Sequence, residues 1–201
     1  MKVCKVCGKS YKRTYCEYCM REKKWNDSIL EIRMEKHLTP RIINDLQNIS
    51  FPKLSKVESS FIFGKVGTGK TLKAVNLFLF QQKNDYIDNI FGTYKFITVP
   101  NLLMEIKSIY DSKESIETEL INHYINLSLL VLDDFGVEKA TDWSFQILYM
   151  IINGRYEQMK KTIFTSNKSL TELAVKLQDE RLLSRIAQMC EVINKVKNYI
   201  V

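Results

Sequence analysis

The run Gly64-Lys65-Val66-Gly67-Thr68-Gly69-Lys70-Thr71 sets two glycines, a lysine and a threonine at the spacing G-x-x-x-x-G-K-[ST]. That spacing makes a loop whose backbone N–H groups wrap the phosphates of a nucleotide. Gly64 and Gly69 permit turns and a close backbone approach that a Cβ would obstruct. Val66, Gly67 and Thr68 contribute the amides between them. Lys70 reaches the β- and γ-phosphates, and the Thr71 hydroxyl is a ligand for Mg²⁺. An acidic pair, Asp133-Asp134, follows the apolar run Leu127 to Leu132. Asp133 suits Mg²⁺, directly or through water, and Asp134 is placed to polarise an attacking water. The same acids would also serve as a turn or helix-cap signal. Their position after a buried strand, downstream of a phosphate loop, favours the nucleotide reading. The expected chemistry is Mg²⁺-dependent binding and hydrolysis of a nucleotide.

A second set of ligand types lies at the N-terminus. Cys4-x-x-Cys7 and Cys16-x-x-Cys19 are separated by residues 8 to 15, and two such knuckles place four thiolates tetrahedrally around Zn²⁺. About 24 residues cannot build an adequate hydrophobic core, so the metal would supply the folding energy. Cys190 stands apart in an apolar strand pattern and reads as a small buried hydrophobe. His37 and His123 sit among no other ligand types and read as structural or surface residues.

Composition bounds the rest. With 201 residues, 45% apolar and 26% charged, the chain fits one α/β domain with a small appendage. No apolar run approaches the ~18–20 residues that span a bilayer, and the N-terminus lacks the apolar core of a signal peptide. A cytoplasmic protein with reduced thiols and no membrane partner is expected. Residues 1–24 hold eight Lys/Arg against Glu17 and Glu22, which is +6 of the chain's formal +7. Such a patch suits nucleic acid or an acidic protein surface; a solvated face on a small module would look the same.

The elements that must position these groups follow from hydrophobic pattern. Strands are expected at Ser60–Phe63, Thr93–Val99, Leu127–Leu132, Thr162–Ser166 and Cys190–Val196. Helices are expected over Trp25–Met34 or on to His37, with Asp27 or Ser28 as N-cap, and from Leu72 to Phe80. Further helices should follow Pro100 to about Ile109 and run over Asp142–Met159, Leu170–Leu177 and Glu180–Met189. Asp111 to Glu119 reads as an exposed turn or helix start. Strands alternating with helices imply an α/β fold with a parallel, doubly wound sheet. The divisions expected are a zinc module at 1–24, a helical linker at 25–52 and a P-loop ATPase domain at 53–201.

Several runs together resemble the bacterial helicase-loader ATPases of the DnaC/DnaI type, a branch of the AAA+ superfamily. They are 64–71, 96–103 (FITVPNLL), 130–136 (LVLDDFG), 151–156 (IINGRY), 165–167 (TSN) and 180–186 (ERLLSRI). The resemblance covers roughly residues 40–196. It implies an AAA+ core, and an ATP-dependent factor that delivers a hexameric replicative helicase onto single-stranded DNA. Asn167 resembles the polar residue that senses the γ-phosphate and positions water. Arg185 resembles the arginine finger supplied to ATP on a neighbouring subunit, which implies self-association through the ATP site; Arg181 is a weaker candidate for that interface. As a pair, Arg181 and Arg185 would also fit a solvated helix face. The chain ends just after the last expected strand, so the helical lid of many AAA+ proteins is expected to be absent. The short N-terminal module points to a compact loader of a phage or mobile element in a bacterial host.

Two other functions fit the same motifs. One is a transposition-regulating ATPase of the IstB type, which would wrap duplex DNA. The cysteine-rich start argues against it, because that group usually begins with a helical DNA-binding segment. The other is a non-hydrolysing adaptor, left open because many related ATPases carry the longer Glu at the position of Asp134. Within the loader reading, the zinc module captures the helicase or binds DNA itself.

Overall fold

Strand β5, Leu129–Asp133, is buried at every position and lies between neighbours on both edges, so its run of apolar residues needs no polar alternation. The computed structural model describes residues 2–3, 10–11, 17–28, 57–109, 114–137, 141–177 and 180–195. Around β5 stand β3 (Ser60–Phe63), β4 (Tyr94–Thr98), β6 (Lys161–Ser166) and β7 (Glu191–Asn194). They form a five-stranded sheet in the order β4-β5-β6-β3-β7, with every pairing parallel. The expected α/β fold is observed. Chain order reverses at β3, which sits between β6 and β7. Ligands of open α/β sheets collect at the carboxyl ends of strands beside such a reversal.

Side-chain alternation sends residues of each strand to two cores. Phe61, Leu130, Leu132 and Phe164 point to one face. That face is covered by α3 (Val99–Lys107), α4 (Glu114–Asn126), α5 (Asp142–Glu157), α6 (Leu170–Leu177) and α7 (Glu180–Met189). Ile62, Leu129, Val131 and Ile163 point to the other face, under α2 (Lys70–Asp88). Each fully buried Leu, Ile or Phe contributes roughly 1.5–3 kcal/mol over exposure, so the strands' C-terminal ends are set by apolar packing from both sides.

Most element boundaries agree with the sequence pattern, and the differences have local causes. α2 continues two turns past Phe80 because Gln82 and Asp85 are themselves buried. α5 starts at a capping box in which Thr141 Oγ1 accepts from Ser144 N at 3.1 Å. β7 is a largely exposed edge strand, and Cys190 lies just before it, half-buried, its thiol pushed up to about 12 by desolvation.

The N-terminal helix departs from expectation. α1 spans Glu17–Ser28, so it begins before Trp25, and Asp27 and Ser28 close it rather than cap its start. Glu17 in the first turn favours this start through the helix dipole. The helix runs through the boundary expected between 24 and 25. Residues 29–56 lie outside the described residues, including the rest of the expected 25–34 helix. α1 rests on α2: Arg21 Nη1 donates to Ile87 O at 3.1 Å and Lys83 pairs with Glu22 at 2.8 Å. β1 (Lys2–Val3) and β2 (Ser10–Tyr11) pair antiparallel. Among the described residues no helix is long and apolar enough to cross a membrane.

Candidate functional site

The loop after β3 leaves the sheet at Gly64, whose N–H donates to Ser166 O at 3.2 Å. A Cβ at Gly64 would stand 2.3 Å from the backbone oxygen of Lys195, so only glycine passes between the ends of β6 and β7. Gly69 takes φ 79° as the N-cap of α2, which aims the helix's first amides, and its positive dipole end, into the loop. Val66 is 80% exposed at the loop's crest, and Gly67 beside it is also exposed. Thr68 is buried and donates to Lys65 O at 2.8 Å.

Lys70 is buried, and its Nζ donates to Lys65 O at 2.9 Å. Desolvation holds its pKa below the ordinary lysine value, with Asp134 and then Asp133 pulling the other way. Thr71 Oγ1 donates to Asp133 Oδ1 at 3.0 Å. The two residues expected to hold Mg²⁺ are thus adjacent across the β3–β5 gap. A hydroxyl and a carboxylate are hard oxygen donors that fit Mg²⁺. Burial raises the Asp133 carboxyl above its usual value, while hydrogen bonds from Thr165 and Thr71 oppose that shift.

Thr165, which the sequence shows only as part of the run 165–167, is a site residue in the structure. Its hydroxyl donates to Asp133 Oδ1 at 2.5 Å and accepts from Asp134 N at 3.0 Å. Phe135 N donates to Thr165 O at 2.7 Å. These contacts orient the carboxylate and hold Asp134 in the left-handed region, φ 59°, which costs a non-glycine residue about 1 kcal/mol. The available signal was a Thr-Ser pair closing an otherwise apolar strand. Ser166 is used similarly, its hydroxyl donating to Phe135 O at 2.7 Å. Asn167 follows on the same loop and is exposed.

Arg185 is placed elsewhere. It projects from α7 toward α5, where Nε donates to Asn153 Oδ1 at 3.0 Å and the guanidinium lies 4.7 Å from the Tyr156 ring centroid. Its contacts among the described residues do not reach 64–71 or 133–134. Arg181, one turn earlier, lies over Tyr149 at 5.6 Å. Of the four expected zinc ligands, Cys4, Cys7 and Cys16 lie outside the described residues, and Cys19 is buried in the first turn of α1. His123 is exposed beside Tyr124, with no metal-binding group around it among the described residues.

Comparison with known proteins agrees with the fold and with an ATP-binding family. Residues 19–199 match the family described as IstB-like ATP binding protein. The chain is 30% identical over 132 residues to the replicative helicase loader DnaC of Escherichia coli K12, covering 64% of this chain and 50% of that protein. It is also 30% identical over 132 residues to the putative ATP-binding protein of insertion sequence IS5376 from Geobacillus stearothermophilus, covering 66% and 48% respectively. The crystal structure of the DnaC helicase loader superposes with a TM-score of 0.57 at 27% identity, covering 77% of this chain and 86% of that one. The chain spans about half the length of the curated relatives it matches.

Proposed function

Since the chain belongs to the family of IstB-like ATP-binding proteins, and its AAA+ fold is that of the DnaC loader, we propose that it is an ATP-hydrolysing helicase loader. In this reading it grips a replicative hexameric helicase and delivers it to single-stranded DNA at the start of replication in the bacterial cytoplasm. The observation that carries the reading is the hydrogen-bonded set Thr71, Asp133 and Thr165 at the carboxyl ends of β3, β5 and β6, with the Lys70 ammonium held close by on Lys65 O. Lys70 exchanges the Lys65 carbonyl for phosphate oxygens. Thr71 and Asp133 would hold Mg²⁺, and the metal would supply positive charge against the phosphates. Asp134 polarises the attacking water, and Asn167 orients it near the γ-phosphate. Arg185, held away from its own P-loop, completes the site of a neighbouring copy, so turnover depends on assembly.

Residues 1–50 supply the grip on the helicase. In this reading Cys4, Cys7, Cys16 and Cys19 hold one structural Zn²⁺, and α1 ties the module to α2. Elemental analysis of metal-replete protein is expected to find one zinc per chain; clearly less than one removes this part of the proposal. The basic charge of residues 1–24 then meets an acidic helicase surface, and single-stranded DNA is left to the ATPase domain.

The near full-length family match and the IS5376 relative favour a second reading, an ATPase that regulates transposition on duplex DNA. A pull-down separates the two. The loader retains the host's replicative helicase, more so with ATP, and prefers single-stranded to duplex DNA. Duplex preference without helicase capture would support the second reading instead.

A further inference from the structure

Two side chains of α5 are arranged around Arg185 in a way that the nucleotide site alone does not explain. Asn153 and Tyr156 face α7, and both are half-buried. Asn153 Oδ1 accepts from Arg185 Nε at 3.0 Å, and Asn153 Nδ2 donates to Glu157 Oε1 at 2.7 Å. The amide is therefore fixed in the orientation that offers oxygen to arginine. Tyr156 lies under the guanidinium at 4.7 Å, and its hydroxyl donates to Gln188 Oε1 at 2.6 Å, which sets the ring plane. One nitrogen and one face of the guanidinium are thus occupied. Among the described residues, Arg185 Nη1 and Nη2 make no hydrogen bond. The outer fork, the part shaped for bidentate contact with an anion, is engaged by none of the described residues.

We propose that Asn153 and Tyr156 are positioning residues that hold Arg185 ready to enter the nucleotide site of a second copy of this chain; the inference rests on the reading of Arg185 as an acting finger. An unsupported arginine must surrender the rotamer freedom of a long side chain each time it engages a phosphate. Fixing Nε and the ring face beforehand removes part of that cost. The cation–π contact does so without a carboxylate that would compete with the phosphate for the guanidinium. Tyr149 beneath Arg181 repeats the ring contact one turn away on α7.

The test uses the full-length protein and compares Asn153→Ala, Tyr156→Leu, Tyr156→Phe and Arg185→Ala, alone and combined. Arg185→Ala is expected to lower ATP turnover by about 10²-fold or more. Asn153→Ala and Tyr156→Leu are each expected to lower it by about tenfold, as misplacement of a catalytic group does, with affinity for a fluorescent ATP analogue unchanged. Tyr156→Phe keeps the ring and should recover most of the loss seen with Tyr156→Leu. Adding Asn153→Ala to Arg185→Ala should cost nothing further. Mixing Asn153→Ala with Lys70→Ala should restore turnover, because the second chain brings an intact finger to the first chain's intact pocket. If Arg185→Ala is impaired while Asn153→Ala and Tyr156→Leu turn over at the wild-type rate, or add to it in combination, the positioning role is overturned and the finger stands. If Arg185→Ala itself turns over at the wild-type rate, the finger reading falls and this inference falls with it.

Discussion

Arg155→Ala is expected to destabilise the protein by about 3–5 kcal/mol, the largest loss of any single substitution outside the apolar cores. Arg155 is 0% exposed, and no carboxylate pairs with it among the described residues. Instead its guanidinium donates to backbone carbonyls of Tyr124, Ile125 and Leu127 at 2.8, 3.0 and 3.0 Å. It also donates to Lys161 O at 2.5 Å and to Thr162 Oγ1 at 2.9 Å. The first two carbonyls belong to the last turn of α4, where helix carbonyls lack intrahelical partners and carry the dipole's negative charge. Burial pulls the guanidinium's pKa down to about 9, which leaves it charged at neutral pH. One side chain thus clamps the end of α4 and the starts of β5 and β6, whose far ends carry Asp133 and Thr165. Alanine strands these acceptors, each costing about 1–3 kcal/mol where water cannot reach. Arg155→Lys should recover only part of the loss, because one ammonium cannot span both groups of carbonyls. Urea unfolding with an unchanged slope reads the difference directly. A shift under about 1 kcal/mol would mean that the clamp is incidental.

Arg155 also marks where sequence reading gave out. Its run, Ile151 to Tyr156, was visible as part of a resemblance, yet nothing in it revealed that an arginine would be fully buried against main-chain oxygens. Backbone carbonyls leave no sequence signal, so a residue that serves only them looks like a surface charge on a helix. Thr165 was hidden for a similar reason: its importance lies in a partner 32 residues away. By contrast, Gly64 to Thr71 and the run into Asp133 were legible because their chemistry is carried by local spacing and by strands buried on both faces. The start of α1 is not legible because residues 17–24, five of them charged, form a helix without an apolar stripe to announce it. Arg185 was legible as a residue but not in its setting, since its cradle comes from α5, 29 to 32 positions earlier in the chain.

Lys70→Ala is expected to weaken ATP binding about 10- to 150-fold, corresponding to about 1.5–3 kcal/mol for a hydrogen bond to a charged group. The ammonium sits buried at the N-terminus of α2, where its removal leaves the phosphates facing helix amides alone. Thr71 and Asp133 keep their mutual contact in this variant, and the ammonium that couples to Asp133 is gone, so Mg²⁺ affinity in the absence of nucleotide should not weaken. Asp134→Asn provides the contrast. It retains the backbone contact from Asp134 N to Thr165 and should bind ATP normally while slowing turnover about 10²-fold, the usual cost of losing a proton acceptor. Wild-type turnover in Asp134→Asn would remove Asp134 from catalysis.

These site properties meet in one measurement: transfer of the host's replicative helicase onto a closed single-stranded DNA circle, with and without ATP. Wild-type protein with ATP is expected to leave helicase stably on the circle, and Lys70→Ala to leave little more than helicase alone. Equal recovery of helicase with and without the protein, or full transfer by Lys70→Ala, would contradict ATP-driven loading.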